Sequence, residues 1–181
     1  MTVAETTRLR LRELTPVDAA FILELVNEPA WLQFIGDRNV HSLEDARGYI
    51  ARGPAASYAA HGFGLWLVES LAGGEPVGMC GLVKRDALPH VDVGFALHSR
   101  HWGHGYAQEA AAEVVRLARD RFRLPTLVAI TDPDNRPSQK VLESAGFRYD
   151  RIIAWGETNE ALMLYVQDLA PVKPGGESDA R

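Results

Sequence analysis

The chain has 181 residues, 46% of them hydrophobic and 24% charged, with 16 Gly, 10 Pro and a single Cys; this describes one globular domain whose core needs no disulfide or structural metal. Cys80 alone excludes an internal disulfide, and without a CxxC or Cys/His pair no structural zinc site is expected, so the predicted compartment is the reducing cytoplasm. The 19 Lys+Arg against 24 Asp+Glu, a formal charge of −5, disfavour nucleic acid as a partner, and no signal peptide or membrane span is expected from the opening MTVAETTRLRLREL or any later window.

Arg8 to Glu13 (RLRLRE) alternates charged and apolar residues, the period of a strand. Thr15 stands as an N-cap before Pro16, and Ala19, Ile22, Leu23 and Val26 recur at helical spacing. A second helix is predicted from Ser42 toward Arg52, stopped by Gly53-Pro54; WLQFIGDRNVH between the two helices has no clear period. Phe63 to Glu69 and Pro76 to Val83 flank a turn segment and read as an antiparallel hairpin. Val91 to Leu97 (VDVGFAL) is a third strand of this group. A long helix follows from near Gly105, with Ala107, Ala110, Ala111, Val114, Val115, Ala118 and Phe122 on one stripe. Thr126 to Thr131 is a strand, Pro137 to Ser144 a short helix ended by Gly146, and Phe147 to Trp155 and Ala161 to Val166 are two last strands. The order predicts an α/β fold: a mixed sheet with helices on its faces. Residues 8–169 form the expected domain and residues 170–181, ending PVKPGGESDAR, a disordered tail.

The most informative stretch is HSRHWGHGYAQEA, residues 98–110, at a strand-to-helix junction. Gly103 and Gly105 let the backbone turn tightly and aim several N–H groups at one spot, where the helix dipole adds positive potential. Such a junction suits a phosphate or pyrophosphate, and Arg100 can add charge. A tight turn alone is the competing reading of the two glycines. Gly94 inside its strand marks a bulge or a close backbone approach.

The spacing Arg100, Gly103, Gly105 resembles the Arg/Gln-x-x-Gly-x-Gly/Ala fingerprint of the GNAT superfamily of acyl-CoA-dependent N-acetyltransferases. NRPSQKVLESAGF is similar to that family's Asn-x-x-Ser/Ala segment, and TTRLRLRELTPVDA and HWGHGYAQEA are similar to the branch of the ribosomal-protein N-terminal acetyltransferases. The resemblance implies a GNAT-like fold with a central, mostly antiparallel sheet, acetyl-CoA as acetyl donor, and no metal. It implies a coenzyme A pyrophosphate held by the backbone amides of His101, Trp102, Gly103, His104, Gly105, Tyr106 and Ala107. Phe95, Ala96 and Leu97 would run beside the pantetheine arm, with Asn135 and Ser138 completing the grip. Asp92 matches a position where many members carry an acidic base, and Trp31 and Phe34, near Ile35, would wall the acceptor pocket. Leu142 stands where many members have a Tyr that protonates the leaving thiolate, so Ser138 becomes the candidate to stabilise the sulfur by hydrogen bonding.

Each residue also has a plainer reading. Asp92 reads equally as a carboxylate in a surface-facing strand, Ser138 as the cap of the short helix, and the aromatics as core. His98, His101 and His104, spaced by three, straddle a glycine turn with no carboxylate among them, which favours an anion loop over metal. Cys80 reads as a small buried residue. The expected partner is a primary amine, on a small molecule or a protein N-terminus, with a homodimer through an unpaired sheet edge also possible. The alternatives are a catalytically silent acyl-CoA-binding module and a nucleotide-binding α/β domain.

Overall fold

The computed structural model describes residues 1–169; the predicted tail at 170–181 lies outside the described residues. The elements are β1 (Thr2–Glu5), β2 (Leu9–Arg12), a 3-10 turn (Pro16–Asp18), α1 (Ala19–Val26), α2 (Pro29–Phe34), α3 (Leu43–Ile50) and α4 (Ala56–His61). They continue as β3 (Leu65–Ser70), β4 (Pro76–Val83), β5 (Val91–Leu97), α5 (Tyr106–Asp120), β6 (Thr126–Thr131), α6 (Arg136–Ser144), β7 (Arg148–Trp155) and β8 (Glu160–Asp168). All strands join one eight-stranded sheet in the order β1-β2-β3-β4-β5-β6-β8-β7. Every neighbouring pair is antiparallel except β5 with β6. The α/β fold with a mixed, mostly antiparallel sheet is therefore the one adopted, and a parallel nucleotide-binding sheet is not.

Alternation along the strands sends side chains to two cores. Trp66, Val68, Cys80 and Leu82 join Ala110, Ala111, Val114 and Ala118 of α5 on one face. Leu67 and Met79 join Ile22, Leu25, Ala46 and Ile50 of α1 and α3 on the other. Ala110, Ala111 and Ala118 of the α5 stripe are fully buried, and their small side chains let the helix lie close to the sheet. Cys80 is buried, as read from its neighbours, and burial pushes its thiol up to about 12, so it is no nucleophile.

Three local expectations differ from the structure. β1 pairs antiparallel with β2 through an irregular register, although its four residues TVAE carry no strand period. α2 forms in the stretch without periodicity, starting on Pro29, whose fixed φ suits a first turn. Gly53-Pro54 does not stop the second helix. Ala51–Ala55 forms a wider π turn around the buried Pro54, and α4 follows directly; the wider turn gives the ring the room an α-helical carbonyl would deny it.

One pairing shapes everything that follows. β5 meets β6 only at Val91 with Leu127 and Asp92 with Val128, while β4 stays in register along β5 to Leu97. From Val93 onward β5 therefore has a free edge, and the sheet opens there. Gly94 lies in an unbroken ladder opposite Gly81, so the strand opens without a bulge.

Candidate active site

The opened strands border a cleft with two adjoining parts. Trp31, Phe34, Ile35, Phe95, Ala96, Asn135 and Ser138 line both. The first part, about 610 Å³, is floored by the residues that lead into α5: His101, Trp102, Gly103, Gly105, Tyr106 and Ala107, with Leu97 beside them. Gly103 and Gly105 hold φ of +79° and +75°, a left-handed region that side-chain-bearing residues rarely enter. A Cβ on Gly103 would project into open space, the space a ligand needs. Gly105 caps α5 without any side-chain hydrogen bond, and among the described residues the amides of Gly103, Gly105, Tyr106 and Ala107 have no acceptor. Orphaned donors at the start of a 15-residue helix make an anion site.

Side chains from far away brace this loop. Glu109 accepts from the Thr6 hydroxyl at 2.6 Å and from Nε of Arg8 at 2.7 Å. Arg8 donates through Nη1 to the His104 carbonyl at 2.8 Å and lies over the Tyr106 ring at 4.9 Å. The Trp102 indole donates to the Leu97 carbonyl at 2.8 Å. Leu97 is thus engaged through its carbonyl, leaving Phe95 and Ala96 as the strand residues at the junction of the two parts.

Two predicted anion ligands are placed differently. Arg100 is not among the cleft-lining residues, because its guanidinium pairs with Glu24 at 2.9 Å. The His104 ring stacks on Tyr106 and is also outside the lining. His101 does line the cleft, but burial lowers its pKa, with Arg100 and the neighbouring histidines adding to the shift against the pull of Glu75. The shift disfavours the charged imidazolium. Among the described residues no group of three or more His, Cys, Asp or Glu is arranged to hold a metal ion, and no helix is long and apolar enough to cross a membrane.

The second part, about 720 Å³, holds Asp92. Its side chain is only 2% exposed, so the reading of a surface-facing carboxylate does not hold. Burial pushes its pKa up to about 6, while Arg85 and, less strongly, the Ile130 amide pull it down. Arg85 Nε donates to Oδ2 at 2.7 Å, and Oδ1 is left without a well-formed hydrogen bond. The indole N–H of Trp31 is a second buried orphan on the same cleft. Trp31, 6% exposed, belongs both to the α1/α3 core and to the wall, so neither reading excludes the other. Phe34 lies half-buried beside it.

At the junction, Asn135 is the N-cap of α6. Its Oδ1 accepts from the Ser138 amide at 3.1 Å, so Asn135, not Ser138, caps the helix. Among the described residues the Ser138 hydroxyl has no hydrogen-bond partner, and Ser138 lines both parts of the cleft. Leu142 also borders the cleft and is packed into the main core, so no phenol arises from that turn.

Sequence reasoning missed Arg85, Tyr49 and Trp155, all of which line the second part; Arg38, in the segment Gly36-Asp37-Arg38 that follows the aromatics expected to wall the acceptor pocket, lines it as well. Burial raises the Tyr49 phenol, against the pull of Arg38 and Arg85. Nothing in their spacing unites an exposed loop, a helix face and a strand end. Only the cleft does.

Residues 8–148 match the family described as the acetyltransferase (GNAT) domain. YoaA of Bacillus subtilis, named as an uncharacterized N-acetyltransferase, is 26% identical over 152 residues, spanning 83% of this chain and 85% of that protein. The crystal structure of an acetyltransferase from Agrobacterium tumefaciens has a TM-score of 0.77 at 27% identity, over 92% of this chain and 94% of that one. RimL, a ribosomal L7/L12 alpha-N-protein acetyltransferase solved with coenzyme A, shares the fold at a TM-score of 0.80 and 17% identity, over 93% of this chain and 98% of that one. The cleft thus sits in a chain whose matched region takes in its anion loop, β5, β6 and the helices that border it, and that chain belongs to the GNAT family of acetyltransferases.

Proposed function

We propose that this acetyltransferase moves an acetyl group from acetyl-CoA to a primary amine by direct attack, with both substrates held in the one cleft. The observation that carries this reading is the cleft's division: orphaned backbone amides at one end, a buried carboxylate with an unpartnered oxygen at the other. The donor set fits coenzyme A, since uncapped helix amides match a pyrophosphate and the open space over Gly103 leaves room for it. Acetyl-CoA brings a thioester carbonyl open to attack and a thiolate leaving group.

The chain's own residues do the rest. The free edge of β5 beyond Asp92 supplies unpaired backbone groups along which an extended arm can lie. Orienting the two reactants alone can offset ~7–11 kcal/mol of barrier. Asp92, with a pKa near 6, is ionised at neutral pH yet basic enough to accept a proton from an ammonium group, directly or through a water. Ser138 offers its free hydroxyl to the sulfur at the junction. Being an acetyltransferase by family, the chain is read as a turning-over enzyme in preference to a silent acyl-CoA-binding module. The acceptor is a small-molecule amine or a protein N-terminus, in line with the sequence likeness to the ribosomal-protein branch.

The test is thiol release from acetyl-CoA against a panel of amines and peptides, followed over pH for the full chain and Asp92→Asn. The variant should lose most turnover at low pH, and the loss should shrink as pH rises and the amine sheds its own proton. An Asp92→Asn profile parallel to that of the unaltered chain would remove the base.

A further inference from the structure

We infer that Arg85 is a positioning residue for Asp92, holding one carboxylate oxygen so that the other is kept for the acceptor side of the cleft. The inference rests on Asp92 being the base. Arg85 sits on the loop between β4 and β5, and its Nε reaches Oδ2 of Asp92 at 2.7 Å. Oδ1 has no well-formed partner although the whole side chain is buried. A purely structural buried ion pair has its remaining lone pairs satisfied by further hydrogen bonds. Here Oδ2 is held by the guanidinium, whereas Oδ1 has only the weaker pull of the Ile130 amide and no well-formed hydrogen bond among the described residues, and both residues line the cleft.

The loop is built to keep Arg85 in place. The Leu88 amide donates to the Arg85 carbonyl at 3.2 Å, closing a turn. Leu88 itself is 4% exposed and packs with Val128 of β6 and Leu164 of β8, in a cluster that Trp155 of β7 joins. Trp155 then meets the arginine a second time, its ring 5.7 Å from the guanidinium carbon. A flat guanidinium can stack on that ring and direct Nε in its own plane toward a carboxylate, which a lysine ammonium cannot do.

Other ionisable groups face the same space: Arg38 after α2, Tyr49 on α3, Asp132 after β6 and Glu160 on β8. Among the described residues, Arg85 alone forms an ion pair with Asp92.

The experiment compares pH profiles of turnover for the full chain, Arg85→Gln, Arg85→Lys, Trp155→Leu, Asp92→Asn and the Arg85→Gln/Asp92→Asn double variant. Each uses acetyl-CoA and an amine active in the thiol-release assay. Removing the cation disfavours the ionised carboxylate, so Arg85→Gln should move the acid limb upward by about one pH unit or more. Arg85→Lys should restore part of that displacement, Trp155→Leu should give a smaller one in the same direction, and the Arg85→Gln change should vanish on the Asp92→Asn background. If Asp92→Asn displaces the acid limb toward the pKa of the amine but Arg85→Gln leaves it in place, Arg85 does not position the carboxylate and Asp92 remains the base. An acid limb unaltered in Asp92→Asn overturns the base itself, and the role of Arg85 with it. Should Arg85→Gln fail to fold, Trp155→Leu carries the test, and an unmoved limb there overturns the inference.

Discussion

Ser138 and Asp92 face the same cleft with opposite deficits. Among the described residues the serine has a hydroxyl without a hydrogen-bond partner, and the aspartate has an oxygen without a well-formed one. Because Asn135 does the capping, removing the Ser138 hydroxyl leaves α6 intact, and its effect can be read as chemistry. Ser138→Ala should lower turnover about tenfold, the worth of one hydrogen bond of ~1.4 kcal/mol, with acetyl-CoA affinity little changed. The sulfur gains its charge in the transition state, so a bond to it acts chiefly on the maximal rate. Steady-state kinetics beside calorimetric binding separates the outcomes: a raised acetyl-CoA requirement with full turnover would make Ser138 a binding residue only. Tyr at position 142 would have given a conventional proton donor. With Leu142 buried there, the proposed reaction leaves the thiolate to a hydrogen bond from Ser138 and to protonation by water.

The strand-loop-helix unit of β5, residues 98–105 and α5 is the part of the site most open to sequence reading. Its signal is local: glycines, a helix start and a strand of defined length lie within about one supersecondary unit. Acetyl-CoA at about 100 times its Kd should raise the melting temperature by about 5–10 °C in a chain of this size. Gly103→Val should remove most of that rise, because a branched side chain resists φ of +79° and fills the space over the orphaned amides. An undiminished rise in a thermal-shift measurement would move the anion elsewhere. The remainder of the site was not legible, for a physical reason. Arg85, Tyr49 and Trp155 each belong to a different element, and only tertiary packing brings them to one wall. The same holds for the missed elements. β1 has four residues and α2 six, too short for either period to register, and the buried Trp31 forms the main anchor of α2. Pro54 misleads because proline ends an α-helix but is accommodated in a wider turn.

Across the molecule, a concentrated cluster of buried and half-buried charges lies on β2 and β3, outside the cleft lining. Arg12 of β2 binds both oxygens of Asp18 at 2.8 and 2.9 Å and Glu69 of β3 at 2.7 Å. This joins the start of α1 to two strands. Burial alone would push Asp18 up, but its bonds to Arg12 and to the Thr15 amide outweigh burial and hold it below its usual 3.8. A carboxylate depressed in the folded state stabilises it above the unfolded value, and that contribution is lost as pH falls through the folded value. Arg12→Ala should therefore cost about 2–3 kcal/mol at pH 7, since it removes the main cation from two buried carboxylates that keep only the Thr15 bonds and the longer Arg10 contact. In urea denaturation the gap from the unaltered chain should narrow below about pH 4; a gap constant from pH 7 to 3 would rule out the ionic origin. The opened β5–β6 pair has the contrary meaning. β1 to β5 come from residues 2–97 and β6 to β8 from residues 126–168, so the sheet is two contiguous chain segments sewn together by two residue pairs. Behind the opening, one core spans both segments against α5; in front, ladder bonds that an unbroken sheet would make are left unmade. Selection for stability alone would close that seam, and substitutions that did so would give a sturdier protein with nowhere to bind.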